Sequence, residues 1–226
     1  MSMRTLYLMA VVALILGAGA CTIPVSYEEG SGRVIRESRE VGPIQEIAFQ
    51  GIGRLIIEQG ENEALIIEAE DNVLSHIESD VRGGRLEIGF TSRRWENILR
   101  PTKPIRYMLT VRDLQRLSLL GVGEIDIREL RTQALDITLS GAGTIEASGE
   151  VDRLKVNVSG AGSLEAGDLR ADEVDINLSG AGNAEVWAIE SLRVNITGLG
   201  RVSYYGDPDV RQSVSGLGEL KPLGAR

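Results

Sequence analysis

A glycine–x–glycine triplet recurs at nearly fixed spacing and sets what this chain can fold into. Copies stand at Gly121-Val122-Gly123, Gly141-Ala142-Gly143, Gly160-Ala161-Gly162, Gly180-Ala181-Gly182, Gly198-Leu199-Gly200 and Gly216-Leu217-Gly218, in steps of 20, 19, 20, 18 and 18 residues. A seventh copy, Gly51-Ile52-Gly53, lies 70 residues before the first. A constant period of this size means that each unit buries its apolar face only against the next copy of itself. A single Gly-x-Gly can hint at phosphate binding. Here it recurs in every unit with no following helix or lysine, so it reads as structural: corners needing positive φ or close approach of neighbouring chains.

Aligned on the corner, the repeats resolve into columns. Leu119, Leu139, Val158, Leu178, Ile196 and Val214 precede it, with Leu117, Ile137, Val156, Ile176, Val194 and Gln212 two residues earlier. Gln115, Leu135, Leu154, Val174, Leu192 and Val210 form the next column back. After the corner come Ile125, Ile145, Leu164, Ala184, Val202 and Leu220, then Ile127, Ala147, Ala166, Val186 and Tyr204. A further apolar anchor sits on the variable side, at Leu130, Val151, Leu169 and Ile189. Alternation with a period of two denotes strands, so each unit is a strand, a corner, a shorter strand and a variable return. The fold class expected is all-β, a parallel β-helix (β-solenoid) with coils of about 18–20 residues, identical columns stacking about 4.8 Å apart. Asn157, Asn177 and Asn195 each begin an N-glycosylation sequon, but they share one outward column and read as an asparagine ladder. Ser140, Ser159, Ser179, Thr197 and Ser215 make a hydroxyl column beside the corner, suited to hydrogen bonds with backbone or one another.

Two charged columns differ in kind. Arg116, Asp136, Lys155, Asp175, Arg193 and Arg211 largely alternate in sign, so neighbouring strands pair opposite charges. Asp126, Glu146, Glu165 and Glu185 are all acidic. Like charges one strand apart cost about 0.9 kcal/mol per pair even in a water-like dielectric. That column is therefore a candidate contact strip for a basic partner or for divalent cations shared between carboxylates, set against the plainer reading of a solvated face.

The N-terminus reads as a targeting segment. Arg4 precedes an apolar run from Leu6 to Leu16, too short to span a bilayer, followed by Gly17-Ala18-Gly19-Ala20 and the sole cysteine, Cys21. This resembles a bacterial lipoprotein signal, which would make Cys21 the lipidation site and the membrane a partner through the lipid. Thr22 rather than Asp after it implies, by the same resemblance, sorting to the outer membrane. The alternative is an ordinary secretory signal that leaves Cys21 as a free thiol. Residues 1–20 are thus assigned to the signal, 21–43 to a tether with an entry strand around Gly32–Glu40, and 44–226 to one solenoid domain. Within it, 44–114 hold longer irregular coils and 115–220 the regular repeats. One cysteine permits no intrachain disulfide, and a net charge of −9 argues against nucleic acid as a partner.

Between residues 92 and 104 the rhythm breaks. Arg93, Arg94 and Arg100 surround Trp95, and Pro101 and Pro104 bar the stretch from an interior strand. It is either a contact loop for a sugar or acidic partner, or a cap over the end of the coil stack. His76, the only histidine, stands among apolar residues and reads as structural. Trp187, Tyr204 and Tyr205 are candidates for stacking on sugars, although Tyr204 falls in an inward column.

Arg33-Val34, Arg39, Phe49-Gln50-Gly51-Ile52-Gly53, Ile56-Ile57-Glu58-Gln59-Gly60, Leu86-Glu87-Ile88 and the run of Ser-Gly-Ala-Gly corners together resemble the putative auto-transporter adhesin head GIN domain family, over roughly residues 33–220. The resemblance implies a right-handed β-helix displayed in the bacterial envelope or at the surface, often behind a lipoprotein signal. It supplies no catalytic residue, cofactor or metal. The function expected is a non-catalytic, lipid-anchored envelope module that binds a glycan or an envelope protein. The alternatives are an enzyme acting on polysaccharide, or a structural or stress-related periplasmic component.

Overall fold

The computed structural model describes residues 27–91 and 98–226. In chain order, β1 (Tyr27–Glu29), β2 (Val34–Arg39), β3 (Glu46–Phe49), β4 (Ile52–Gln59) and β5 (Ala64–Glu70) lead to a one-turn helix, α1 (Asp71–Leu74). There follow β6 (Ile77–Arg82), β7 (Arg85–Phe90), β8 (Ile98–Arg100), β9 (Arg106–Val111) and β10 (Arg116–Leu119). The regular half comprises β11 (Val122–Leu139), β12 (Ala142–Val158), β13 (Ala161–Leu178), β14 (Ala181–Ile196), β15 (Leu199–Tyr205), β16 (Asp209–Val214) and β17 (Glu219–Gly224). It is a parallel β-solenoid of about five turns.

Successive coils pair in parallel over nearly their whole length. Ile125 lies against Ile145, Ile145 against Leu164 and Leu164 against Ala184, and the columns read from the sequence are these ladders. Ile137, Leu139, Ile145, Val156 and Ile176 are fully buried. Each such side chain contributes about 1.5–3 kcal/mol when taken out of water, which is what drives one coil onto the next. Variable coil lengths are absorbed by register shifts, between Ile127 and Leu130 and between Glu146 and Ser148 for example. Those shifts split the anchor column expected on the return side: Leu130 and Leu169 both face Gly149, whereas Val151 faces Thr132 and Ala171. Ala188, not Ile189, continues that second ladder and is fully buried.

The Gly51 corner is remote only in sequence. β3 lies against β10 and β4 against β11, with Phe49 beside Leu119 and Gly53 beside Gly123, so this corner is the next vertex of the same stack. Residues 60–115 leave the stack and return to it. On the way β7 pairs with β3 and β9 with β4, adding a partial coil whose two strands are joined by a sequence without the glycine–x–glycine triplet. Leu114 is buried where the repeat pattern offered Gln115, whose side chain instead donates to Asp113 Oδ2 at 2.9 Å.

The two ends of the stack differ. At the N-terminal end the strands turn antiparallel: β6 pairs with β7, β5 with β9 and β2 with β5. Val73 and Leu74 of α1 are buried beneath them. At the C-terminal end β16 and β17 lie mostly exposed, and the polar Gln212 takes an inward position there without cost.

Candidate binding surface

Four side chains expected to form an acidic strip do stand in register, Asp126 beside Glu146, Glu146 beside Glu165 and Glu165 beside Glu185. The first is neutralised. Arg128 donates to Asp126 Oδ2 from Nε at 2.9 Å and from Nη2 at 2.8 Å, and Arg54 Nη2 lies 3.4 Å from the same oxygen. Arg54 also approaches Glu124 at 3.5 Å and Glu146 at 3.9 Å. Glu165 and Glu185 carry no ion pair among the described residues, so the strip's uncompensated charge is centred on coils β13 and β14. Among the described residues, no group of three or more His, Cys, Asp or Glu side chains gathers as a metal ion would require.

The alternating column is longer than the repeats alone reveal. Arg85 and Glu46 precede Arg116 in register, giving strict alternation from Arg85 to Arg193. Glu46 pairs with Arg116, Asp136 with Lys155 at 3.9 Å, and Asp175 with Arg193 at 3.3 Å. The Arg116 guanidinium holds the Glu46 carboxyl below the ordinary carboxylate range.

Beside this column runs a groove of about 940 Å³ that crosses the coils from Asp113 to Arg211. Its other wall is a second ladder two residues earlier, Ala134, Arg153, Glu173, Ser191 and Asp209, in continuous register. Arg153 and Glu173 stand side by side but make no ion pair with each other or with any described residue. Lys155 joins Arg153 to make one rung doubly positive, and Asp175 joins Glu173 to make the next doubly negative. Leu135, Leu154, Val174 and Leu192 line the floor. The groove thus offers unpaired charge of both signs on adjacent rungs and a hydroxyl at Ser191, over a floor whose side chains belong to the core. The Arg153–Glu173 column keeps a constant offset from the glycine corner, but its residues (Ala134, Arg153, Glu173, Ser191, Asp209) share neither charge nor polarity, and only the structure shows that Arg153 and Glu173 lack ion pairs among the described residues.

The remaining candidates separate. Cys21, Arg93, Arg94 and Trp95 lie outside the described residues. Arg100 ends β8, exposed, beside Glu29 of β1. His76 is half-buried, with Nε2 3.0 Å from Glu28 Oε2. Trp187 and Tyr205 are covered by the Arg226 guanidinium, 5.8 and 5.1 Å from their ring centres, so this aromatic platform is already occupied. Tyr204 packs against the core. Phe49 and Tyr107 meet edge to face at 5.2 Å inside the N-terminal half, and burial pushes the Tyr107 hydroxyl far above its usual pKa.

A stack of parallel coils with its surface chemistry laid out in axial ladders defines a parallel β-solenoid. The chain belongs to the family described as "Putative auto-transporter adhesin, head GIN domain", which it matches over residues 44–208. It is similar to the crystal structure of a putative adhesin from Bacteroides fragilis, with a TM-score of 0.71 and 23% identity over 87% of this chain and 100% of that one. A putative lipid binding protein from Parabacteroides distasonis is also similar, with a TM-score of 0.56 and 23% identity over 88% and 100%. A putative adhesin from the same organism gives 0.60 and 17% over the same shares. These likenesses show the fold. Among curated proteins no relative matches the chain. The family and these neighbours are named for adhesion or lipid binding, and none is named as an enzyme. Among the described residues no helix is long and apolar enough to cross a membrane.

Proposed function

We propose that this protein is a non-catalytic, lipid-anchored module of the bacterial cell envelope that holds an extended glycan or envelope protein along its solenoid. Lipid on Cys21, after removal of residues 1–20, would tether it to the outer membrane, facing either the periplasm or the exterior. The observation that carries the reading is the axial groove, whose unpaired Arg153 and Glu173 stand on adjacent rungs. A polymer lying along the groove meets equivalent positions on successive coils, so modest contacts add along its length. The acidic ladder at Glu146, Glu165 and Glu185 is a second contact strip, for basic groups of a partner. The Arg93–Arg94–Trp95–Arg100 stretch is a contact loop in the same reading.

A glycan array and an envelope-protein pull-down on the purified protein, with Arg153→Ala/Glu173→Ala beside it, test this. The expected result is binding by the parent, weakened about tenfold in the variant, with no product released from any polysaccharide. Turnover of a polysaccharide would replace the binding module with an enzyme. Lipid labelling in cells that is abolished by Cys21→Ser checks the anchor.

A further inference from the structure

The vertex of the solenoid carries a row of outward side chains at the middle position of each corner. At its ends these are large and exposed: Ile52 (49%), Val122 (58%), Leu199 (57%) and Leu217 (85%). Between them stand Ala142, Ala161 and Ala181, and adjacent rungs are in register from Ile52 to Ala161 and again from Ala181 to Leu199. Together with the exposed Leu120, this one edge holds five of the nine large hydrophobic residues exposed among those described. Apolar side chains gathered on one line mark a contact surface rather than scattered surface residues.

The row reads the same from either end, large–large–small–small–small–large–large. Its neighbouring column, two residues on along each strand, is antisymmetric in charge. Arg54 and Glu124 occupy the first two rungs, Thr144, Ser163 and Asn183 the middle three, and Arg201 and Glu219 the last two. Reversal of the column sets every charge opposite its complement.

We propose that this edge is the interface of an antiparallel homodimer, with the two-fold axis passing at Ala161. In that arrangement Arg54 faces Glu219 of the second copy and Glu124 faces Arg201. Ile52 meets Leu217, Val122 meets Leu199, and Ala161 meets itself. The intrachain pairs already present at the two ends, Arg54–Glu124 at 3.5 Å and Arg201–Glu219 at 2.9 Å, join into two four-charge networks. On the other flank Ser140 faces Ser179 and Ser159 faces Ser159, small hydroxyls that allow close approach. A parallel arrangement fails, because it sets Glu124 against Leu120 and Arg201 against Thr197. An isologous contact requires this self-complementarity, and a surface shaped only for a different partner does not.

Seven rungs span about 29 Å, and the three columns about 14 Å, giving roughly 400 Å² per copy. That lies at the low end of specific interfaces, so the dimer is a weak and reversible one. One column further out, Glu165 would face Glu165 of the partner; this like-charge contact sets the width of the interface.

Sedimentation velocity on the full chain, up to about 1 mM, reads the association directly. Glu124→Arg and Arg201→Glu are each expected to weaken it about tenfold, and the double variant to restore it. These residues stand four rungs apart in one chain, about 19 Å, so rescue can come only through a partner. Glu165→Gln is expected to tighten it. Oxidative cross-linking supplies a second readout against the parent chain, whose Cys21 sets the background. Ala161→Cys should cross-link with itself, whereas Ala142→Cys and Ala181→Cys should do so only when mixed, because a disulfide cannot reach across two rungs. A parent chain that stays monomeric, a double variant as weak as the single ones, or Ala142→Cys alone cross-linking as well as Ala161→Cys would each overturn the proposal.

Discussion

At a vertex of the stack, the carbonyl of one coil sits where a side chain of the next would begin. A Cβ added at Gly141 would lie 2.0 Å from Gly121 O, and one at Gly160 2.1 Å from Gly141 O. Neither residue needs a left-handed φ, so of the two reasons for glycine at a corner, close approach is the one that holds here. The carbonyl has nowhere to go, because it accepts from the next coil: Gly121 O from Ala142 N–H at 3.1 Å, and Gly141 O from Ala161 N–H at 3.2 Å. Gly141→Ala is therefore expected to destabilise the protein by about 3 kcal/mol, the upper range for overpacking. Gly42→Ala, which meets nothing within 4 Å, should stay within about 0.5 kcal/mol of the parent. Urea unfolding of the two variants reads the difference, and equal midpoints would remove the account. The corner columns were legible in the sequence because period and alternation report burial directly. The place of Gly51 was not, since 70 residues of intervening chain say nothing about whether two corners stack. Only the pairing of β3 with β10 and β4 with β11 shows it.

Among the elements, the antiparallel cap is held by chemistry unlike that of the coils. Glu70 ends β5 almost wholly buried. Its carboxylate accepts from the N–H groups of Gly32 at 2.7 Å, Thr102 at 2.8 Å and Lys103 at 3.2 Å, and from the Thr102 hydroxyl. Burial pushes this carboxyl up, but the hydrogen bonds together outweigh it and hold it below the ordinary range. Next to it, the Ser31 hydroxyl and then the Arg33 guanidinium bring Asp71 down from 3.8 to about 2. Both groups release protons more readily in the folded chain than in the unfolded one. Their stabilisation is complete above the ordinary carboxylate value and is lost as pH falls from near 4 towards 2. The coils β11–β14, held by apolar ladders, have less to lose. Hydrogen exchange is expected to show the amides of residues 30–40 losing protection in that interval while β12 and β13 keep theirs. Uniform loss along the chain would assign acid sensitivity elsewhere. None of this was legible beforehand: Glu70 and Thr102 stand far apart in sequence, and the acid interrupts no periodic pattern. The groove escaped for a different reason: Arg153 and Glu173 keep the same offset from the corner, but they share their column with Ala134, Ser191 and Asp209, so no common chemistry marks it, and their lack of ion pairs among the described residues is a property of the fold.

For the molecule as a whole, stability is a sum of coils and the contacts between neighbours, so its length is adjustable in whole periods. Ala142 stands in register with Ala161, which makes residues 142–160 one complete coil. Their deletion joins Gly141 to Ala161 and restores the triplet Gly-Ala-Gly. The apolar ladders then continue, Ile125 meeting Leu164 and Ile137 meeting Ile176, while in the charged column the loss of Lys155 brings Asp136 against Asp175. The shortened protein is expected to fold, with unfolding still cooperative and a lower Tm from one lost neighbour contact. Removal of only residues 142–151 breaks the period, sets strand against corner, and should leave no folded protein; circular dichroism and thermal melts distinguish the two. The edge columns shorten in step. Arg54 still mirrors Glu219, and Glu124 still mirrors Arg201, but the symmetry axis moves from Ala161 to the gap between Ala161 and Ala181. A dimer built on that edge survives the deletion with its self-cross-link at Ala161→Cys weakened by a one-rung offset and a mixed cross-link between Ala161→Cys and Ala181→Cys becoming the stronger one. Association that disappears along with the coil would instead tie the contact to residues 142–160 themselves, and a self-cross-link at Ala161→Cys that still exceeds the mixed one would place the axis elsewhere.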